Sequence, residues 1–324
     1  MSRVLAPATA LLVALAALGG CGRRDTKPAD TLAAPRGTIG LSLLTLTNPF
    51  FNEIADTMRA EARRAGYDLL AVSGEFDVAK QQNQVKDFIV RKVSAIVLTP
   101  CDSKAIGPSI REANQAGIPV FTADIAAVDP GARVVAHVAT DNYQGGRLAA
   151  EAMVEALGGK GPVAILDHPE VESVTLRTKG FRDGIAEANR RPDVKIEIVT
   201  ALPGGGARDK SYKAAQDILQ AHRDLRGIFA INDPSALGAV AALEESGRDA
   251  SVRVVGFDGQ PEGRKAIRDG KIYADSIQFP DRIGRETVQA IERYFAGQDL
   301  PAQILVPSAL YRQADAVKDP SLAR

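Results

Sequence analysis

Seven short stretches bring carboxylates, amides and aromatic rings together: Asn48-Pro49-Phe50-Phe51, Thr99-Pro100-Cys101-Asp102, Asp124-Ile125, Thr140-Asp141-Asn142, Asp167-His168, Asn232-Asp233-Pro234 and Phe257-Asp258-Gly259. Carboxylates and amides hold several hydrogen bonds to vicinal hydroxyls, and flat aromatic faces cover the apolar C–H faces of a sugar ring. The set has the composition of a polyol pocket. Paired carboxylates such as Asp124 and Asp258 could instead serve as acid and base. The sequence has no GxSxG elbow, no phosphate loop and no histidine arranged for base catalysis, so it reads as a binder and not as an enzyme.

Each stretch comes after a short apolar run rich in β-branched residues. Such runs predict strands over 39–44, 69–72, 95–98, 120–123, 134–138, 163–166, 196–199, 227–230, 252–255 and 272–276. Segments of helical length alternate with them, among them 79–90, 105–116, 143–157, 210–221, 236–245 and 283–295. The alternation is that of an α/β chain with parallel sheets covered by helices. Ten strands exceed what one small open sheet holds, so two successive lobes are expected. No glycine-rich linker separates them, which points to several short crossings. In open parallel sheets ligands sit beyond the carboxyl ends of the strands, where all seven stretches fall.

Each candidate also has a plainer role open to it. Asn48 and Asp233 precede proline at a helix start and could be caps. Asp124 and Asp258, at the ends of their strands, could cap the next turn of chain. Phe50 and Phe51 are adjacent on a helix, about 100° apart, and do not easily share one buried stripe. Cys101 reads as a space-filling side chain.

Lysine plus arginine equals aspartate plus glutamate at 40 each, so no overall field favours nucleic acid or an anionic surface. The three histidines, His137, His168 and His222, are far apart in sequence and no CxxC or HxxxH pattern accompanies them; neither a metal nor another cofactor is expected. At the start of the chain, Met1 to Arg3 is succeeded by an apolar run over 4–18 and by Leu18-Gly19-Gly20-Cys21. This has the form of a bacterial lipoprotein signal, with 1–20 removed and Cys21 lipidated. The polar, proline-containing remainder of 21–37 reads as a tether. With Cys21 committed to lipid, Cys101 has no partner for a disulfide.

The mature chain resembles the ribose-binding protein family of type I periplasmic solute-binding proteins, which serve sugar ABC transporters. The likeness rests on TLTNPFF, DSKAIGPSIREANQAGIPV, ATDNYQGG, RTKGF, FAINDPSALGA, VVGFDG and SIQFPDRIG, in that order. It implies two Rossmann-like lobes joined by a three-strand hinge: 38–140 plus 279–306 in the N-terminal lobe, 141–278 plus 307–318 in the C-terminal lobe, with crossings near Thr140, Gln278 and Val306. It places sugar contacts on Asn48, Phe50, Phe51, Asp124, Thr140, Arg177, Asn232, Phe257, Asp258 and Gln278, Arg177 entering on the resemblance alone. Four further positions depart from the ribose pattern: Thr99 replaces an asparagine, Ile125 an arginine, Gly206 an aromatic residue and His168 an apolar one. These departures argue for a neutral monosaccharide or sugar alcohol other than ribose. The resemblance further implies a monomeric, extracytoplasmic protein, in the periplasm or at the cell surface, that hands its ligand to a membrane ABC permease. A receptor subunit for a membrane sensor kinase or chemoreceptor is the alternative.

Overall fold

The computed structural model describes residues 36–322. The signal, the lipidation site at Cys21 and most of the tether lie outside them. Six strands form each of two sheets. The first is built from β1 (Thr38–Leu43), β2 (Asp68–Ser73), β3 (Ala95–Leu98), β4 (Val120–Ala123), β5 (His137–Thr140) and β11 (Gln303–Val306), in the order β11-β5-β4-β3-β1-β2. The second contains β6 (Lys160–Asp167), β7 (Lys195–Pro203), β8 (Gly227–Ala230), β9 (Arg253–Asp258), β10 (Ala274–Ile277) and β12 (Ala309–Arg312), in the order β12-β10-β9-β8-β6-β7. All pairings are parallel except β10 with β12. The ten expected strands are present, β3, β4 and β8 with the expected ends and the other seven with shifted ones. β11 and β12 are additional: short edge strands whose half-exposed residues leave no long apolar run.

Helices cover both sheets because each turns an apolar face inward. In the first lobe these are α1 (Pro49–Arg64), α2 (Val78–Val90), α3 (Gly107–Gln115) and α9 (Pro280–Phe295). In the second they are α4 (Asn142–Ala156), α5 (Glu172–Ala188), α6 (Arg208–Ala221), α7 (Asp233–Ser246) and α8 (Pro261–Arg268). Asn48 begins α1 by accepting from the Phe50 amide at 3.0 Å, with Pro49 preset for the first turn. Asn232 does the same for α7, accepting from the Ser235 amide at 2.9 Å. Asp233 is therefore not the cap; it is wholly inside and accepts from the Gln260 amide. Helices α4 and α5 touch backbone to backbone. A Cβ at Gly146 would overlap the Arg177 carbonyl, and one at Gly180 the Tyr143 carbonyl. That close approach sets where Arg177 begins.

The chain passes between the sheets three times: after β5, after β10, and between β11 and β12. The crossings are hydrogen-bonded to one another. Ser308 donates from its amide to Gln144 Oε1 at 2.9 Å and from its hydroxyl to the Ile277 carbonyl at 2.9 Å, while Gln144 Nε2 donates to the Ser308 carbonyl at 3.2 Å. Each such bond contributes about 1 kcal/mol, enough to hold three strands in fixed register without a rigid block.

Candidate functional site

The strand ends of the two sheets face each other across a cleft, and between them lies a small cavity. The centres of water molecules could occupy only about 40 Å³ of it. From the first lobe it is lined by Asn48, Phe50, Phe51, Phe76, Asp124 and Ile125. From the second come His168, Ser173, Arg177, Gly206, Asn232 and Asp258, and Gln278 joins them from the second crossing. The centre is thus built from strand ends and helix starts of both lobes.

Arg177 is the hub of the second lobe's side. It is 4% exposed and donates from Nε to Asn142 Oδ1 at 2.7 Å, and from Nη1 to the Ile231 carbonyl at 2.7 Å and to Asp258 Oδ1 at 3.2 Å. Its guanidinium carbon stands 4.0 Å from the centre of the Phe257 ring. These contacts fix the plane of the fork, as a bidentate donor requires. Asp258 Oδ1 also accepts from Gln278 Nε2 at 2.6 Å. Burial pushes the Asp258 carboxyl above the ordinary range, while Arg177, Gln278 and Asn48 pull it back.

Asp124 has no such partner. Its carboxyl is buried and pushed up to about 7 by that burial, with Arg177 opposing and Asp258 and Glu172 adding to the rise. Asp124 Oδ1 and Gln278 Oε1 are both buried without a hydrogen-bond partner among the described residues. Two unpartnered acceptors on residues that line the cavity are what a ligand rich in hydroxyl donors would satisfy.

The two phenylalanines of α1 both reach the cavity, with ring centres 5.3 Å apart and planes at 84°. Both are almost fully buried, so one wall of the cavity is also part of the core. His168 lines the opposite wall at 8% exposure. Its ring lies 6.4 Å from that of Phe76 between centres, and burial lowers its pKa against the pull of Glu170, whose carboxylate is 3.5 Å away.

Gly206 adopts φ +64°, a conformation that side chains disfavour, and a Cβ there would press on His168 Nδ1 at 3.2 Å and Asn232 Nδ2 at 3.3 Å. The imidazole and the amide therefore occupy much of the space that an absent aromatic ring at 206 would leave. Past Gly206 the cleft continues into a second hollow that shares Asn48, Phe76 and Gly206 with the first.

Three expected contacts stand off the cavity. Thr140 is buried in the first crossing. Phe257 lies beneath Arg177 as a platform. Thr99 is fully buried and its hydroxyl accepts from the Leu44 amide at 2.6 Å, which holds the end of β1 in place. Seven lining residues escape the sequence reading: Leu44, Thr45, Phe76, Val171, Ser173, Val174 and Ile231. Phe76 lies just past the carboxyl end of β2 in Gly74-Glu75-Phe76-Asp77, so the strand-end rule reaches it once that end is included. Glu75 and Phe76 both have left-handed φ, 56° and 60°, which no local sequence signal marks.

Residues 39–299 match the family model described as periplasmic binding protein domain. The chain is 35% identical over 272 residues to the ribose import binding protein of Salmonella typhimurium, an alignment covering 84% of this chain and 89% of that one. It is 34% identical over 274 residues to the D-apiose import binding protein of Paraburkholderia graminis, covering 84% and 86%. Among solved structures, an ABC transporter periplasmic solute binding protein from Actinobacillus succinogenes with bound D-allose aligns with a TM-score of 0.79 and 29% identity over 88% of this chain and 100% of that one.

Proposed function

The chain belongs to the periplasmic binding protein domain family, and from that premise we propose that it captures a neutral monosaccharide or sugar alcohol between its lobes and delivers it to an ABC importer. The observation that carries this reading is the pair of buried, unpartnered acceptors, Asp124 Oδ1 and Gln278 Oε1, on residues lining a small cavity between the lobes that is also lined by Arg177, Asp258 and two phenylalanine rings. Hydroxyl donors satisfy the acceptors, Arg177 donates to ring or hydroxyl oxygens, and a ring of Phe50 or Phe51 covers a C–H face. The relatives' names, which include ribose, apiose and allose, support the same chemical class.

Binding draws contacts from both lobes, so the ligand favours the closed arrangement over an open one, and closure is the signal a permease reads. The protein acts outside the cytoplasm, and Cys21 anchors it to a membrane through lipid. Ile125 adds an apolar wall where an arginine would donate up to five hydrogens, which disfavours a ligand that needs those bonds. A thermal-shift panel of pentoses, hexoses, deoxy sugars and polyols, with amino acids as controls, tests the reading. Stabilisation by one or more sugars or polyols is expected; a response confined to the amino acids, or none at all, overturns it.

A further inference from the structure

Four helices are capped by a side chain of their own chain just before the first turn: α1 by Asn48, α2 by Asp77, α4 by Asp141 and α7 by Asn232, whereas the N-cap side chains of α3, α6, α8 and α9 make no such bond. Helix α5, which carries Ser173 and Arg177 into the cavity, also lacks one, and its first amide is met from the opposite lobe. Its N-cap residue is Val171, which has no side-chain oxygen to offer. The first amide of the helix, that of Glu172, donates instead to the hydroxyl of Ser103 at 2.9 Å. Ser103 lies between β3 and β4 and therefore belongs to the other lobe.

Ser103 is held for this task on every side. Its amide donates across the cleft to the Glu170 carbonyl at 3.0 Å, and its carbonyl accepts from the Val128 amide at 2.8 Å within its own lobe. Asp102 Oδ1 accepts from the amides of Lys104 and Ala105, both at 2.8 Å, closing the turn around it. The side chain is 3% exposed. Rotating the lobes apart about the three crossings necessarily separates Ser103 from Glu170 and Glu172, and the α5 N-terminus then loses its cap to water.

From this we infer that Ser103 is a positioning residue for the ligand site: it completes, from the opposite lobe, the helix that orients Arg177, so that capping α5 and closing the cleft are one event. The inference rests on the reading of the cavity as a sugar site. The cap exists only in the closed state, so it adds to the stability of the sugar-bound protein and leaves the open, sugar-free protein unchanged.

The test compares wild type, Ser103→Ala and Ser103→Thr by calorimetric titration with whichever member of a panel of pentoses, hexoses, deoxy sugars and polyols, D-ribose, D-allose and D-apiose among them, binds wild type most tightly, alongside thermal melts without sugar. Loss of a capping hydroxyl predicts affinity about three- to tenfold weaker for Ser103→Ala, restored to within about twofold in Ser103→Thr. The sugar-free melts of all three proteins should coincide. Equal affinities for wild type and Ser103→Ala overturn the cap while leaving the sugar site standing. A sugar-free melt lowered in Ser103→Ala also overturns it, since the hydroxyl would then be serving the open form. Wild type that binds no sugar or polyol of the panel overturns the reading of the site, and this inference with it.

Discussion

Asp124 and Asp258 occupy corresponding places in the two sheets: Asp124 directly follows β4 and Asp258 ends β9, each the third strand counted from β11 or β12, and each has a positive φ, 62° and 98°. A non-glycine residue pays about 1 kcal/mol or more for such backbone. Both turns aim a carboxylate into the cleft from opposite sides. Only Asp258 has a cation, Arg177, so the two carboxyls differ in what they can do: one is a held acceptor, the other an acceptor awaiting a donor.

Removing either partner of the Arg177–Asp258 pair leaves the other buried and unmatched. Arg177→Ala and Asp258→Ala should each weaken sugar affinity by roughly 2–3 kcal/mol, about 30- to 150-fold. Calorimetric titration measures this. A loss below threefold in either variant would remove that residue from the ligand's contacts.

Ile125 and Gly206 predict that D-ribose is not the preferred ligand. Ranking pentoses, hexoses and polyols by thermal shift should place a bulkier monosaccharide or a sugar alcohol first, because the cleft continues past Gly206. D-ribose giving the largest shift would remove the argument from these two positions.

How much of the site is legible in the sequence depends on where each signal lies. Asn48, Asp124, Asn232 and Asp258 stand at strand ends or helix starts, where their residue type already indicates ligand or cap, and two of them do both: Asn48 and Asn232 cap their helices and line the cavity. Phe76 is legible only as a residue past the end of β2; the left-handed turn at Glu75 and Phe76 carries no local signal. Thr99 and Phe257 read as contacts in the sequence, yet one pins β1 and the other supports Arg177 from below, distinctions that only packing makes. The start of α5 carries no local cap signal, since its hydroxyl comes from 69 residues away.

Asp275 offers a pH test. It is fully buried beside Asp233, and burial pushes its carboxyl from 3.8 up to about 7, with a hydrogen bond from Asp233 opposing the rise. A carboxyl raised on folding contributes stability that is present below its unfolded pKa and lost as pH rises through the folded one, here between about pH 4 and 7. His137, held down to about 4 by burial, acts in the opposite sense as pH rises toward 6.5, so the comparison must be differential. Relative to wild type, sugar-free Asp275→Asn should gain melting temperature steadily from about pH 5 to about pH 7 and level off above that. A difference that is constant with pH would contradict the assignment.

If Cys21 carries the anchor, fractionation of producing cells should find wild type with the membranes and Cys21→Ser in the soluble fraction, because several acyl chains hold where none does. Equal partitioning of the two proteins would reject lipidation.

The central claim is that a sugar is enclosed between the two lobes and holds them together. Small-angle scattering of the full-length mature protein, without ligand and with a saturating concentration of the sugar that gives the largest thermal shift, tests it most directly. The account predicts a smaller radius of gyration with sugar present, as contacts from Asn48 and Asp124 on one side and from Arg177 and Asp258 on the other are satisfied together. An unchanged radius at saturation would contradict it.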